Sequence, residues 1–498
     1  MTTKPGTEIA DLIVVGAGNA ALCAALAARA AGLNVVVLEK APEHARGGNT
    51  YFTGGAIRFA YKGIDDVREI VPDLSEEELR VIEVGEYPES KYFEDLMRVT
   101  EGLSDQEMAN TLVRGSFGTL KWMAEQGVRL VPSWSHQAFK VGDKYRFWGG
   151  LCLEAVGGGK GLSDQLFEIA EKQEIAVRYA TTAVKLVVDD EGAVTGVVVK
   201  GPQGYEELPA KAVVLACGGF EANPEMRARY LGPGWELAKV RGVRFNTGDG
   251  IRMAMDIGAQ PFGHWSGCHA VAWDLNAPPF GNRTITDLYQ KHSYPFGLIV
   301  NAEGKRFVDE GADFRNYTYA KYGKQILTQP QMVAYQIFDQ KTLHLLRDEY
   351  RIAEVTMAET DTFEELAEAL DIDPAGLVKT VADYNAACQA GEYNPTVLDG
   401  VHTEGVEPPK TNWALPLDSP PYQGFGVTCG ITFTFGGLRI NRRGQVMDTS
   451  EEPIRGLYAA GEMVGGLFYH NYAGGAGLMA GSVFGKLAGT SAAEDVRR

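Results

Sequence analysis

The chain has few of the features that would let it carry an iron–sulfur cluster, a haem or a disulfide framework. Its six cysteines (Cys23, Cys152, Cys217, Cys268, Cys388 and Cys429) lie far apart, with no CxxC pair and no CxxCH. No relay of metal centres is built into such a pattern, and a reducing, cytoplasmic setting is expected. No metal site is expected either. No run approaches the roughly 20 apolar residues of a membrane span. The first residues also lack the succession of charged, apolar and cleavable segments that marks a leader. Direct membrane insertion is therefore not expected. A basic excess is missing too: 47 Lys and Arg stand against 65 Asp and Glu, a formal net charge of −18. This argues against nucleic acid and anionic membranes as partners. The same field does not attract an acidic substrate, so local cations would have to hold one. Repeats of fixed period and low-complexity tracts are absent as well.

What is present is a globular composition over 498 residues, 45% hydrophobic and 22% charged. That length exceeds one ordinary domain and predicts two or three units, each with its own core. The segments "DLIVVGAG", "NAALCAALAARAAG" and "NVVVLEK" read as a β-α-β unit, with Gly32 suited to the helix C-cap. From Glu76 to Gln126 the pattern turns charged and helical, and a helical insertion over about 61–150 is expected. "TTAVKLVV…VTGVVVKGPQGYEELPAKAVVLACGG" alternates in period two around "DDEG" and "GPQG" turns, which predicts a β-meander leading back into the main sheet. Between about His264 and Thr432 aromatics and prolines accumulate, as in a separate inserted domain. The expected fold is α/β, with a Rossmann-like domain split over 1–263 and 433–498 and an inserted α+β domain over 264–432.

"VVGAGNAA" places Gly16, Gly18 and Ala21 at GxGxxA spacing between an apolar strand and a helix. Gly16 allows a tight turn, and Gly18 lets a pyrophosphate approach the N–H groups of Asn19, Ala20 and the helix start. Glu39, followed by Lys40, ends the next strand about 20 residues on, where an acid binds a ribose hydroxyl. NAD and FAD share this grip, but three later features favour FAD. "RGGNTYFTGGA" offers Gly47, Gly48, Asn49, Thr50, Gly54 and Gly55 along an extended cofactor. "GLYAAGE" ends in Gly461 and Glu462, an acid suited to ribityl hydroxyls. "NYAGGAGL", with Gly477 and Leu478, brings backbone N–H groups to the flavin edge that gains negative charge on reduction. "AVGGGKGLSDQL" is not a phosphate loop, because Gly161 follows Lys160 where Ser or Thr is required, and a helix-entry loop is expected there.

Together with "ACGGFEANPEM", "NTGDGIRMAMDIGA" and "RFVDEGADFR", these motifs resemble the fumarate reductase/succinate dehydrogenase flavoprotein superfamily over nearly the whole chain. The resemblance implies a cap that closes over the flavin with the substrate between them. It also adds Ala183, Ala216, Gly218, Gly219 and Asp249 to the cofactor set. Where succinate dehydrogenases attach FAD through a histidine, Gly48 stands here, so non-covalent FAD is expected. The long C-terminal helical region of the respiratory flavoproteins is also missing after the flavin helix.

In that superfamily two histidines and an arginine hold the substrate carboxylates, while a second arginine moves the proton. Arg315 in "DEGADFRNYT" matches the proton-transfer arginine, with one extra residue after Glu310, and His269 in "SGCHAVAWD" matches the first histidine. Phe433 replaces the second histidine and Tyr472 the carboxylate-binding arginine. The segments around His269, Arg315 and Tyr472 look most like tricarballylate dehydrogenases, which make cis-aconitate. A tyrosine before a glycine pair is also similar to the ketosteroid Δ1-dehydrogenases.

The expected catalytic set is Arg315, Tyr472 and His269, with His470, Asn471 and Phe433 as weaker substrate contacts. Arg283, Lys291 and His292 form a basic stretch suited to remote carboxylates but left outside that set. The expected partners are a small carboxylate or ketone and an electron-accepting protein or quinone. A flavin electron carrier without its own substrate is the alternative of another class. A disulfide reductase is excluded by the lack of a redox cysteine pair and of a second glycine fingerprint.

Overall fold

The first strand, Ala10–Val15, is apolar on both faces and almost wholly buried, as a central parallel strand must be. The computed structural model describes residues 9–134, 137–147 and 149–498. The leader reading at residues 1–8 and three positions of the expected insertion (135, 136 and 148) lie outside the described residues. Two compact units result: Met1–Pro233 with Gly242–Cys268 and Phe433–Arg498, and Gly234–Arg241 with His269–Thr432.

In the first unit, Ala10–Val15 pairs in parallel with Val35–Leu38 on one side and with the end of Gly204–Leu215 on the other. Ala176–Arg178 extends the sheet beyond Val35–Leu38, and Pro453–Ala459 joins Gly204–Leu215 in parallel. The meander is formed by Thr182–Val188, Val194–Gly201 and Gly204–Leu215, antiparallel to one another. Its first turn is closed by Asp189, whose carboxylate accepts from the N–H groups of Glu191 and Ala193. "AVGGGKG" enters the helix Gly158–Lys172.

The expected insertion is helical only as far as the helix Gln106–Gln126. Beyond it, Ala138–Val141 and Lys144–Phe147 form a hairpin around Gly142, whose φ of 59° only a glycine adopts readily. These short, half-exposed strands carry too little apolar alternation to be legible in sequence.

The helix Asn19–Ala30 is rich in alanine because the C-terminal helix, Ala476–Arg497, presses its backbone against it. A Cβ at Gly489 would lie 2.1 Å from the carbonyl oxygen of Ala24, and one at Gly485 2.3 Å from that of Ala20. Gly489→Ala is therefore expected to cost about 3 kcal/mol through overpacking. Gly118→Ala, on an exposed helix face with nothing within 4 Å, should instead stabilise by roughly 0.5–1 kcal/mol. Urea midpoints of the two variants check this, and equal shifts would refute the packing argument.

In the second unit the long strand Tyr422–Leu438, through its residues 422–432, pairs with Lys239–Val240, Val333–Phe338 and Met357–Thr360. Leu298–Asn301 lies beyond Val333–Phe338. The helices Phe363–Leu370 and Pro374–Ala387 cover this sheet with Leu366, Leu377 and Val381, against Leu298, Val300 and Ile337. Among the described residues, no helix is long and apolar enough to cross a membrane.

Candidate active site

In the first unit the predicted cofactor residues gather at the carboxyl ends of the parallel strands, where ligands of open α/β sheets bind. Gly16 (φ 103°) could not carry a Cβ, which would stand 2.3 Å from the Ala216 carbonyl oxygen. Gly18 is different: a Cβ there would make only ordinary contacts, with the Thr50 hydroxyl at 3.6 Å and the Gly47 carbonyl oxygen at 3.9 Å. The fold itself does not demand glycine at Gly18, so the open space suits the approach of a group from outside. Beside this loop the buried Glu39 accepts from the Ala41 N–H at 2.7 Å and from the Ala17 N–H. Burial raises its carboxyl, partly offset by those two bonds. Thr181, two residues before Ala183, donates its N–H to the Glu39 carbonyl, which brings the start of the meander to the same place.

The second glycine loop closes on the first. Thr50 accepts from the Asn19 N–H at 3.0 Å, and the Asn19 amide donates to the Leu478 carbonyl at 2.8 Å. Gly47 and Gly48 have φ of 109° and 56°, and a Cβ on Gly48 would touch Gly18 at 3.6 Å. Gly55 turns against the Gly158 backbone, with Gly54 beside it. Lys40 donates to Asp249 at 2.6 Å and to Thr247, so these two charges pair with each other. Gly461 abuts Ala20.

Two carboxyls share the centre of this cradle. Glu221 accepts from Asn49 at 2.7 Å and Asn246 at 2.6 Å on one oxygen, and its carboxyl bonds Glu462. Glu462 accepts from the N–H groups of Thr434, at 2.9 Å, and Gly219. A Cβ on Gly219 would strike Glu462, and one on Gly218 would strike Asn246. Burial, with Glu221 beside it, holds the Glu462 carboxyl well above the usual range, and burial raises Glu221 too. The pair keeps a proton that the unfolded chain loses above about pH 4.5. Stability from this source is therefore present at low pH and falls as pH rises. Glu221→Gln, whose amide can donate to an ionised Glu462, removes that dependence. Its stability advantage over the parent is expected to be larger at pH 8 than at pH 5 in urea titrations. A constant difference across that range would exclude a shared proton.

The stretch "FYHNYAGGAGL" is fixed from both ends. The fully buried Arg58 donates to the Gly474 carbonyl at 2.7 Å and to the Tyr87 hydroxyl, which donates to Asp95. The Tyr472 hydroxyl accepts from the Gly477 N–H at 3.0 Å, at the N-terminus of the last helix. Its ring lies edge-on to Phe433 and Phe468. Exposed His470 (φ 58°) donates its N–H to the His264 imidazole, and Asn471 is buried beside it.

In the second unit His269 and Arg315 belong to one cluster, to which the structure adds His292, Tyr319 and Arg241; His269, His292 and Arg241 are buried, and Arg315 and Tyr319 half-buried. His269 (1% exposed) and His292 (4% exposed) both lie edge-on to the Tyr319 ring, at 5.0 and 4.8 Å. Arg241 donates to Asp287 at 2.7 Å and to Thr432 at 3.3 Å. Burial, then Arg241, pushes His269 well below the usual imidazole range. Burial, then Arg315, Arg241, His269 and Lys291, does the same to His292. Both imidazoles are thus neutral near pH 7. Lys291 is held within the core by Asp274 at 3.3 Å and by three backbone carbonyls.

Sequence reading missed Arg58, Glu221, Asn246, Thr434, Arg241 and Tyr319. Of these, Glu221 and Asn246 lie within the motifs "ACGGFEANPEM" and "NTGDGIRMAMDIGA", and Tyr319 directly follows "DEGADFRNYT". The glycine turn, buried acid and helix N-terminus fit an extended dinucleotide, and Glu462 with the Gly477 loop fits the rest of FAD.

A family model described as an FAD binding domain matches residues 11–478. A probable fumarate reductase of Shewanella frigidimarina is 31% identical, over 98% of this chain and 75% of its own. The 3-oxosteroid 1-dehydrogenase of Mycobacterium tuberculosis is 27% identical, over 96% of this chain and 97% of that one. Among solved structures, the open conformation of a flavocytochrome c3 fumarate reductase has a TM-score of 0.73 at 29% identity, covering 99% of this chain and 80% of that chain.

Proposed function

Because this chain belongs to the FAD binding domain family and is an FAD-dependent oxidoreductase acting on carbon–carbon bonds, we infer that it desaturates its substrate beside a carboxylate. The best reading is tricarballylate to cis-aconitate. The observation that supports it is the cluster of buried His269, His292 and Arg241 with half-buried Arg315, a gathering of cations and imidazoles that suits an anionic substrate in an otherwise acidic protein.

Desaturation removes a proton from the α-carbon and a hydride from the β-carbon, leaving the C=C bond. The loops of Gly16, Gly18, Glu39 and Glu462 would hold FAD without a covalent bond, and FAD when bound would supply the hydride acceptor. Arg315 takes the α-proton in the form that has first given up a guanidinium proton, and is otherwise the cation of the cluster. Tyr472 and His269 donate to the carboxylate oxygens that gain charge as the proton leaves. The Gly477 N–H on the Tyr472 oxygen, at the positive end of a helix, makes that hydroxyl a stronger donor. Phe433 excludes water from the Tyr472 ring, while Asn471 and His470 are secondary contacts. The electrons pass on to an accepting protein or quinone.

A second reading, desaturation of a cyclic ketone, is favoured by the apolar box of Phe433, Phe468 and Tyr472. It is favoured also by similarity to the 3-oxosteroid 1-dehydrogenase. Anaerobic mixing of the oxidised protein with tricarballylate, succinate and a 4-oxocyclohexane carboxylate separates the two. Bleaching of the flavin by tricarballylate supports the first reading, and bleaching by the ketone alone overturns it. If none of the three bleaches the flavin, the electron-carrier class takes its place.

A further inference from the structure

We propose that His292 sets the substrate class of the second unit by binding, through Nε2, a carboxylate remote from the reacting carbons. The assignment rests on the carboxylate reading above and deepens it. His292 is 4% exposed, yet its Nε2 has no hydrogen-bond partner among the described residues. A buried polar atom in that state marks a missing partner.

Its surroundings say which partner. One flank is the Tyr319 ring, in a T-shaped contact at 4.8 Å, which supplies at most a weak π contact to an imidazole N–H. The groups whose charge acts on it are Arg315, Arg241, His269 and Lys291, in that order, and the three of them that are cations at neutral pH are Arg315, Arg241 and Lys291. The anions nearby are committed elsewhere: Glu349 accepts from the His292 backbone N–H at 3.2 Å, Asp287 accepts from Arg241 at 2.7 Å, and Asp274 faces Lys291 at 3.3 Å. A hydroxyl or amide would satisfy Nε2 equally well as a hydrogen-bond partner, but only an anion also gains from the field of three cations. Asp287 and Thr432 fix Arg241 in place through three of its five N–H groups, so the unpartnered Nε2 of His292 is the donor assigned to the carboxylate and Arg241 supports it through its field.

The test uses a matched pair of ligands on the FAD-loaded protein. Methylsuccinate is tricarballylate with one terminal carboxymethyl group replaced by methyl, so it lacks only the third carboxylate. Calorimetric titration of the parent is expected to show tighter binding of tricarballylate. His292→Leu should weaken tricarballylate by about 30-fold, in the range of a lost charge-assisted hydrogen bond, and leave methylsuccinate within about 2-fold. His292→Gln, whose amide nitrogen reaches near the position of Nε2, should restore part of the loss. Retained methylsuccinate binding and flavin content show that the leucine variant is folded.

Equal weakening of both ligands, no weakening of either, or a parent that does not prefer tricarballylate would each overturn the assignment. Failure of the desaturation reading is distinguishable. If the binding pattern holds while tricarballylate leaves the flavin oxidised, the subsite stands and the proposed reaction falls. If tricarballylate bleaches the flavin and His292→Leu leaves its affinity unchanged, the reaction stands and the subsite falls.

Discussion

Arg315→Ala, saturated with FAD, is expected to reduce its flavin with substrate about 10³-fold more slowly than the parent, in the range set by loss of a positioned proton-transfer group. Half-buried Arg315 opens the short turn Arg315–Tyr317 in the cluster with His292, and none of the cofactor-cradle bonds described above involves it. Flavin content should therefore be unchanged. The rate of anaerobic bleaching at saturating substrate isolates the chemical step. Arg315→Lys adds a sign that a structural role would not produce. A lysine, with a pKa near 10.4 against more than 12 for arginine, loses its proton at lower pH. The lysine variant should therefore recover rate as pH rises toward about 10, whereas the alanine variant should not. If alanine at this position bleaches as fast as the parent, proton transfer belongs to another group.

The second large effect is expected at Tyr472. Tyr472→Phe removes one hydrogen-bond donor to the oxygen that gains charge, a loss worth about 10²-fold to 10³-fold in rate. It also strips the acceptor from the Gly477 N–H at the start of the last helix. Stability should fall as well, by about 1–3 kcal/mol for the unsatisfied N–H. Rates must therefore be normalised to bound flavin, and stability followed separately by urea unfolding. A loss of stability without a loss of rate per flavin would reduce Tyr472 to a helix cap. Its T-shaped contacts with Phe433 and Phe468 survive in the phenylalanine variant, so a change in packing does not confound the comparison.

The cofactor cradle was legible because glycine spacing reports backbone conformation directly. Gly16, Gly47 and Gly461 all have positive φ, and each sits in a motif whose spacing alone predicts a tight approach. Partners in space were not legible. Lys40 and Asp249 read as separate cofactor contacts, yet they bond each other from positions 209 residues apart. Glu221 reads as a bystander after "GGF", yet it pairs with Glu462. No local pattern announces such pairs, because they depend on which loops the parallel sheet brings to its carboxyl edge.

The same division holds in the second unit. His292 lies in a basic stretch that sequence reading set aside, since charged loop residues usually face water. The fold instead buries it beside His269 and Arg315. Sequence by itself determined the strands of the parallel sheet and the meander, the glycine turns, the dinucleotide grip and the family, because these follow from periodicity and backbone freedom over short spans. Only the tertiary structure decided which charges pair, which imidazoles are neutral, and that the Tyr472 hydroxyl meets the Gly477 N–H. Burial and proximity between distant segments set these properties, and neither is a property of any short stretch of chain.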